Sequence, residues 1–204
     1  MKLSPDFSKL IRHIVSGNID AVSDMLSADP SLATEAAEIG AARENAEEFF
    51  FTEIRHYLYG GDTALHIAAA GFRCQIAMLL VANGANIGAK NRRGQQPLHY
   101  AADANLWNPD AQAETINYLL SAGADANALD KSGVAPLHRA VRTRSAAAVL
   151  ALIDGGADPS APNEKGSTPL RLAELTTGRS GSGSDLARQQ QAIIIELLSK
   201  YDLP

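Results

Sequence analysis

Apolar residues along this 204-residue chain gather in short blocks at helical spacing, and stretches rich in Gly, Asn and Asp separate the blocks. Four of the blocks open with a leucine that follows a glycine at a fixed offset. These leucines are Leu65, Leu98, Leu137 and Leu170, and two of the three intervals between them are identical. The shared interval is a period of about 33 residues, which predicts stacked helix pairs that bury their apolar faces against their neighbours.

A second landmark keeps the same phase and marks the end of the second helix in three of the units. Gly84 and Gly156 follow their opening leucines at the same distance, and Gly123 follows its leucine at a longer one. Glycine adopts the left-handed conformation that ends a helix without steric cost. Two landmarks in fixed register therefore indicate a helix, a loop and a second helix in each unit.

The opening segments read Gly-Asp-Thr-Ala-Leu-His from Gly61, Gly-Gln-Gln-Pro-Leu-His from Gly94, Gly-Val-Ala-Pro-Leu-His from Gly133 and Gly-Ser-Thr-Pro-Leu-Arg from Gly166. In this pattern the chain resembles the ankyrin repeat family. The resemblance implies a single all-α domain, an ankyrin-repeat solenoid of about five helix-turn-helix units with β-hairpin-like fingers. Degenerate units at both ends would serve as caps. The predicted units are 4–33, 61–93, 94–132, 133–165 and 166–204.

The front of the chain carries an insertion. Leu10 is the corresponding leucine of the first unit, and the stretch from Leu10 to Leu65 exceeds one period by about 22 residues. Within the surplus, Phe50, Ile54, Tyr57 and Leu58 fall on one face of a helix. The sequence therefore predicts a helical insertion over 34–60 that replaces the ordinary first finger.

Two shorter insertions interrupt later units. Residues 105–110 lengthen the loop between the helices of unit three and carry Trp107, the only tryptophan. Residues 176–184 are rich in Gly and Ser, as flexible linkers are. The cost of exposing a large aromatic side chain favours a Trp107 that folds back on the scaffold. An exposed anchor for a partner is the alternative.

The net charge of −5 resides in the segment 1–60, because the segment 61–204 carries equal numbers of cationic and anionic side chains. An acidic front end disfavours nucleic acid as the partner. The sequence has no apolar run long enough to predict a membrane span, and the single Cys74 excludes an intrachain disulfide. We expect a cytoplasmic monomer, with a secreted effector as the alternative.

Three histidines, His66, His99 and His138, recur once per unit and form a column in the predicted stack. Such a column suggests metal binding, but no Asp, Glu or Cys sits beside them at ligand spacing. The resemblance implies instead that each ring bonds the start of its helix. Known nucleophile, phosphate-loop and metalloprotease motifs are absent from the sequence. We therefore predict no catalytic residue, no cofactor, no metal and no enzymatic activity.

Candidate contact residues are basic and aromatic. Arg139 and Arg142 are three residues apart and share a helix face, and Tyr100 has the same offset from its leucine as Arg139. Such an Arg-plus-Tyr patch suits an acidic peptide or a carboxylate. Solvated arginines that balance nearby acids are the other interpretation. Arg92 and Arg93 in the first standard finger and Trp107 in the unit-three loop are added to these three. The predicted partner-binding residues are therefore Arg92, Arg93, Tyr100, Trp107, Arg139 and Arg142.

The function that this pattern predicts is non-catalytic protein–protein interaction, in which a protein or peptide binds the concave face of fingers and first helices. The alternative is a small-molecule binder or enzyme that uses the insertions at 34–60, 105–110 and 176–184. It would draw on His56, Tyr57, Tyr59 and Trp107, and it stays open because the resemblance is to stand-alone bacterial proteins of mostly unassigned role.

Overall fold

The structure, a computed structural model, describes residues 3–103, 106–175 and 184–201. Within these ranges the chain forms ten α-helices and two very short strands, which confirms the all-α prediction. The helices are α1 (Pro5–Ser16), α2 (Ile19–Ala28), α3 (Ala64–Ala70), α4 (Cys74–Ala82), α5 (Pro97–Ala102), α6 (Pro109–Ser121), α7 (Pro136–Arg142), α8 (Ala146–Asp154), α9 (Pro169–Leu175) and α10 (Asp185–Ser199).

The helices pack in two parallel rows. The first helix of each pair contacts the first helix of the next pair, so that α1, α3, α5, α7 and α9 follow one another. The second helices α2, α4, α6, α8 and α10 form the other row in the same way. Each helix thus packs mainly against its partner and its neighbours in the row, which is the contact pattern of a solenoid.

Small side chains allow the first-helix row to pack closely. Every residue of α3 is buried, and the alanines of α5 and α7 are buried as well. Three of the second helices, α4, α6 and α8, are followed by glycines whose φ angles are positive, +91° at Gly84, +97° at Gly123 and +90° at Gly156. The left-handed ends predicted from the sequence are therefore present.

Two of the three recurring histidines, His66 and His99, cap the start of their helices and join neighbouring units. The Nδ1 atoms of His66 and His99 each accept a hydrogen bond from the backbone N–H three residues earlier, both at 3.1 Å. Their Nε2–H groups donate to the carbonyls of Gln95 and Val134 in the next unit, both at 3.0 Å. Both rings are fully buried, and this desolvation lowers the pKa of each to about 4. They are neutral structural residues, as the resemblance implied.

The fingers stack on one another through backbone hydrogen bonds. The N–H of Arg92 donates to the carbonyl of Gly60 at 2.9 Å, and the N–H of Lys131 donates to the carbonyl of Arg93 at 2.9 Å. Each connection brings the tips of consecutive fingers into register. Side chains at the tips of different units consequently lie on one continuous face.

The inserted segment is not the helix that the sequence predicted. It forms a short 3-10 turn at Ala46–Phe49 and a hairpin in which β1 (Phe50–Phe51) pairs antiparallel with β2 (His56–Tyr57). Ile54, His56 and Leu58 are buried at alternate positions, which is the two-residue period of a strand. The helical prediction is therefore wrong for residues 34–60.

The carboxyl-terminal unit ends in α10, the longest of the described helices. Ile194 and Leu198 are its buried residues, and Ser184 accepts a hydrogen bond from the N–H of Ala187 at 3.3 Å to cap its start. Most of the predicted Gly/Ser loop, residues 176–183, lies outside the described residues.

Candidate functional site

A groove of about 710 Å³ runs along the side of the molecule formed by fingers and first helices. It spans the three successive fingers around Arg92, Lys131 and Lys165, and its lining also includes the apolar residues Val134 and Leu172. We call it the basic groove, because six cations and a single carboxylate, Asp130, line it. The cations are Arg92, Arg93, Lys131, Arg139, Arg142 and Lys165.

The charge of the basic groove is opposite to that of the chain. Six cations and one carboxylate give the groove lining a formal charge of +5, whereas the whole chain carries −5. The rest of the chain therefore carries a formal charge of −10. Such a separation produces a local positive potential on a protein that is acidic overall.

Four of the predicted contact residues come together in this groove, but Arg139 is not a free charge. Its guanidinium forms salt bridges with Asp103 at 2.6 Å and Asp130 at 3.2 Å, and its side chain is only 11% exposed. Burial alone would lower the pKa of Arg139, but the two carboxylates raise it above its usual value. Arg139 therefore holds the groove together and contributes little net charge to its surface.

The same carboxylate organises the middle one of the three fingers that line the groove. Asp130 accepts hydrogen bonds from the N–H groups of Ser132 at 2.8 Å and Val134 at 3.1 Å. Burial acts to raise the pKa of Asp130, but these N–H groups and Arg139 outweigh it and lower the pKa. The single anion of the groove is thus already paired within the protein.

Arg92, Arg93 and Arg142 are the cations that remain exposed among the predicted contacts. Within the part of the chain that the structure describes, none of the three forms a salt bridge. The guanidinium of Arg93 lies 3.9 Å from the centre of the Tyr59 ring, and Arg92 donates to the carbonyl of Ala41. The insertion thereby positions both finger arginines without neutralising them.

Tyr100 is not a contact residue, and the prediction that it faces a partner is wrong. Its side chain is fully buried, and its hydroxyl donates to the two carboxylate oxygens of Asp62 at 2.8 and 2.9 Å. Asn91 Nδ2 donates to Asp62 at 2.9 Å, and the Tyr59 N–H does so at 2.6 Å. Tyr100 is directed inward because a buried carboxylate needs such donors. Desolvation still raises the pKa of Asp62, to about 6.

A second, smaller cleft opens where the insertion meets the groove. We call this space of about 320 Å³ the hairpin cleft. Sequence reasoning missed it because the insertion was assigned a helical period, although the alternation of Ile54, His56 and Leu58 indicated a strand. The residues lining it are Ala41, Ala42, Arg43, Ala46, Tyr57, Tyr59, Arg92 and Arg93.

The remaining candidates do not join either cleft. Trp107 is 53% exposed, so the folded-back position expected from its size is wrong, and it lines neither space. His56 is buried, its Nδ1 lies 2.8 Å from the carbonyl of Tyr57, and its ring packs 4.4 Å from that of Tyr100. Of the four residues that the alternative small-molecule site would draw on, the hairpin cleft contains Tyr57 and Tyr59 but neither His56 nor Trp107.

Across residues 3–103, 106–175 and 184–201, no three His, Cys, Asp or Glu side chains are grouped so that they would hold a metal ion. Over the same residues, no helix has both the length and the apolar character that crossing a membrane requires.

The chain is similar to several large proteins over part of its length. It is 27% identical to the E3 ubiquitin-protein ligase KEG of Arabidopsis thaliana over 151 residues, 71% of this chain and 9% of that protein. It is 36% identical to the B-cell lymphoma 3 protein homolog of Mus musculus over 100 residues, 46% of this chain and 20% of that protein. A probable serine/threonine-protein kinase of Dictyostelium discoideum is 35% identical over 82 residues, 40% of this chain and 9% of that protein.

Family models agree with the fold. A model described as ankyrin repeats in three copies matches residues 14–130, and one described as ankyrin repeats in many copies matches residues 119–173. The first model alone spans more than half of the chain, and the paired helices and stacked fingers are those that the repeats require. This protein therefore belongs to the ankyrin repeat family.

Proposed function

We propose that this chain is a non-catalytic protein-binding module whose basic groove binds an acidic segment of a partner protein. The observation that carries the proposal is the reversal of charge, a groove lining of +5 on a chain of −5. Complementary potentials of this kind accelerate encounter and select partners of opposite charge.

The shape and composition of the groove support a peptide segment as the ligand. Its volume of about 710 Å³ exceeds that of a single side chain, and fingers from three units line it. Arginine is enriched among the residues that dominate binding energy at protein interfaces, because its planar guanidinium binds carboxylates bidentately. Arg92, Arg93 and Arg142 present three such groups along one face.

The relatives are consistent with a binding role. Their names describe a ubiquitin ligase, a probable kinase and a lymphoma protein homolog, and this chain matches at most a fifth of each. A stretch that recurs in proteins with such different names fits a shared binding scaffold better than a shared chemical reaction.

The proposal is tested with a fluorescein-labelled peptide of alternating Glu and Ser, measured by fluorescence anisotropy. The double variant Arg93→Glu, Arg142→Glu should weaken binding at least tenfold, about 1.4 kcal/mol. Both side chains are exposed and neither forms a salt bridge with a described residue, so thermal melting should change little.

The matched control is Arg12→Glu, Lys200→Glu, which changes the net charge equally at exposed positions outside the groove. It should leave the affinity within about twofold, a difference below about 0.5 kcal/mol. Equal losses in the two double variants would show that only net charge matters and would contradict the proposal. Tighter binding of a single-stranded DNA oligomer than of the peptide would assign the groove to nucleic acid instead.

A further inference from the structure

We infer that the hairpin cleft is a second subsite of the same surface, and that it takes an aromatic side chain at one end of the bound acidic segment. This inference rests on the proposed function, because it assumes that the basic groove holds such a segment.

The hairpin cleft continues the basic groove. Arg92 and Arg93 line both spaces, so a chain that leaves the groove past these two arginines enters the cleft directly. The groove extends from there toward unit five, whereas the cleft lies against the insertion ahead of unit two. The cleft therefore receives one end of a bound segment rather than its middle.

The walls of the cleft are apolar and leave room for a ring. The side chains of Ala41, Ala42 and Ala46 are single methyl groups, and the rings of Tyr57 and Tyr59 stand 6.1 Å apart at an angle of 41°. A space of about 320 Å³ lies at the lower end of the range for ligand pockets, which suits one large side chain. Two tilted rings offer the edge-to-face and offset contacts that aromatic groups prefer.

The charges at the rim select against other guests. Arg43, Arg92 and Arg93 bring three guanidiniums to the cleft, so a cationic side chain would be repelled. Arg93 already lies 3.9 Å from the Tyr59 ring centre, a stacking arrangement that a second ring can extend. An aromatic residue beside acidic neighbours satisfies both the apolar walls and the basic rim.

The hairpin is held in place before any ligand binds. The N–H of Ala41 donates to the Leu58 carbonyl at 2.7 Å, and the N–H of Leu58 donates to the Phe49 carbonyl at 2.9 Å. Ile54 and Leu58 are fully buried beneath the hairpin. A preformed cleft loses little conformational entropy on binding, so the aromatic contact retains most of its effect on affinity.

The test compares three acidic peptides of alternating Glu and Ser, one with Phe at its amino end, one with Phe at its carboxyl end and one with Ala at both ends. One of the Phe peptides should bind the wild-type chain about tenfold more tightly than the Ala peptide. The end at which Phe is effective reports the direction of the bound segment.

Tyr57→Ala should reduce that gain to about twofold or less, whereas Tyr201→Ala, which removes an exposed aromatic far along the chain, should preserve it. Ala46→Phe fills the cleft and should abolish the gain while the Ala peptide still binds as before. This variant separates occupation of the cleft from loss of folding.

The outcomes distinguish this inference from the proposed function. If no acidic peptide binds the wild-type chain, both fail. If all three peptides bind with equal affinity, the groove binds acidic segments and only the inference about the cleft is overturned. The inference is also overturned if the Phe peptide still binds more tightly than the Ala peptide in both Tyr57→Ala and Ala46→Phe.

Discussion

Arg139 illustrates how a residue that the sequence suggests is a surface cation becomes a structural one. Helical spacing places it beside Arg142, but the fold surrounds it with Asp103 and Asp130 from outside its own helix. Removal of one partner from a largely buried ion pair leaves the other charges uncompensated. The arginine therefore contributes chiefly to the stability of units three and four.

We predict that Arg139→Met lowers the free energy of unfolding by about 3 kcal/mol, because two carboxylates lose their counter-ion in a partly buried site. Arg142→Met, one turn further along the exposed face of α7, should change it by less than about 0.5 kcal/mol. Urea unfolding of both variants measures the difference. Similar small losses would mean that solvent, rather than Arg139, balances the two aspartates.

Tyr100 and the histidine column show what could be predicted at this scale. The histidine role followed from a repeated motif, and the hydrogen bonds of His66 and His99 match it. Tyr100 was assigned to the surface by its offset from Leu98. A side chain's direction here depends on Asp62, a buried acid distant in the sequence, and no periodic rule contains that information.

At the scale of the element, the fingers depend on residues that accept a left-handed backbone. Gly94 has φ +75°, and an added Cβ would come within 3.0 Å of the Lys131 backbone nitrogen. That nitrogen donates to the carbonyl of Arg93, the hydrogen bond that joins these two consecutive fingers. A side chain at Gly94 would therefore strain one finger and separate it from the next.

We predict that Gly94→Ala lowers the free energy of unfolding by about 2 kcal/mol, since the left-handed conformation alone costs an alanine roughly 1–2 kcal/mol. Gly88→Ala, in the preceding loop where the nearest atom lies 3.7 Å from an added Cβ, should be neutral or slightly stabilising. Chemical denaturation of the pair provides the comparison. An equal effect at both positions would show that finger geometry is not the cause.

The insertion marks the limit of periodic reasoning about elements. Phe50, Ile54, Tyr57 and Leu58 fit a helical face, yet the hairpin is what forms. Aromatic and β-branched residues favour strands, and Arg55 adopts a positive φ of +48° in the turn between them. The sequence predicts where the inserted residues lie. Their apolar spacing fits both the period of a helix and the period of a strand, however, and only burial in the tertiary structure decides between the two.

At the scale of the molecule, repetition made the architecture predictable and left the surface unpredictable. Each unit repeats its landmarks, so the two helix rows follow from one pattern. The charge of the basic groove is a sum over three fingers, of which the first, with Arg92 and Arg93, is basic and the other two carry both signs of charge. Only stacking of those fingers shows that the cations converge while the acids face elsewhere.

The buried histidines make stability of the whole array depend on pH. Because burial lowers the pKa of His66 and His99 from 6.5 to about 4, the folded state binds fewer protons than the unfolded state between these values. The contribution of the two neutral rings to the free energy of unfolding is present above pH 6.5 and is lost as the pH falls toward 4. Asp62 opposes this, since its pKa of about 6 makes the folded state hold a proton that the unfolded state releases.

We predict that the free energy of unfolding falls by about 2 kcal/mol between pH 7 and pH 5, at about 1.4 kcal/mol per pKa unit for each group. Asp62→Asn removes the group whose protonation opposes this fall. The free energy of unfolding of the variant should therefore fall further between pH 7 and pH 5, whatever its value at pH 7. Urea titrations at both pH values measure the two differences. A stability that is constant or higher at pH 5 would contradict the assignment of neutral buried rings.

The imidazole links between units also give the array a polarity. The links of His66 and His99 both point from a ring in one unit to a carbonyl in the unit that follows. A truncation from the carboxyl end leaves an imidazole donor without its acceptor, whereas one from the amino end uncovers a carbonyl that water can reach. On the ribosome, each of these units emerges before the acceptor it requires, so the nascent chain completes a unit only when the next finger has been synthesised.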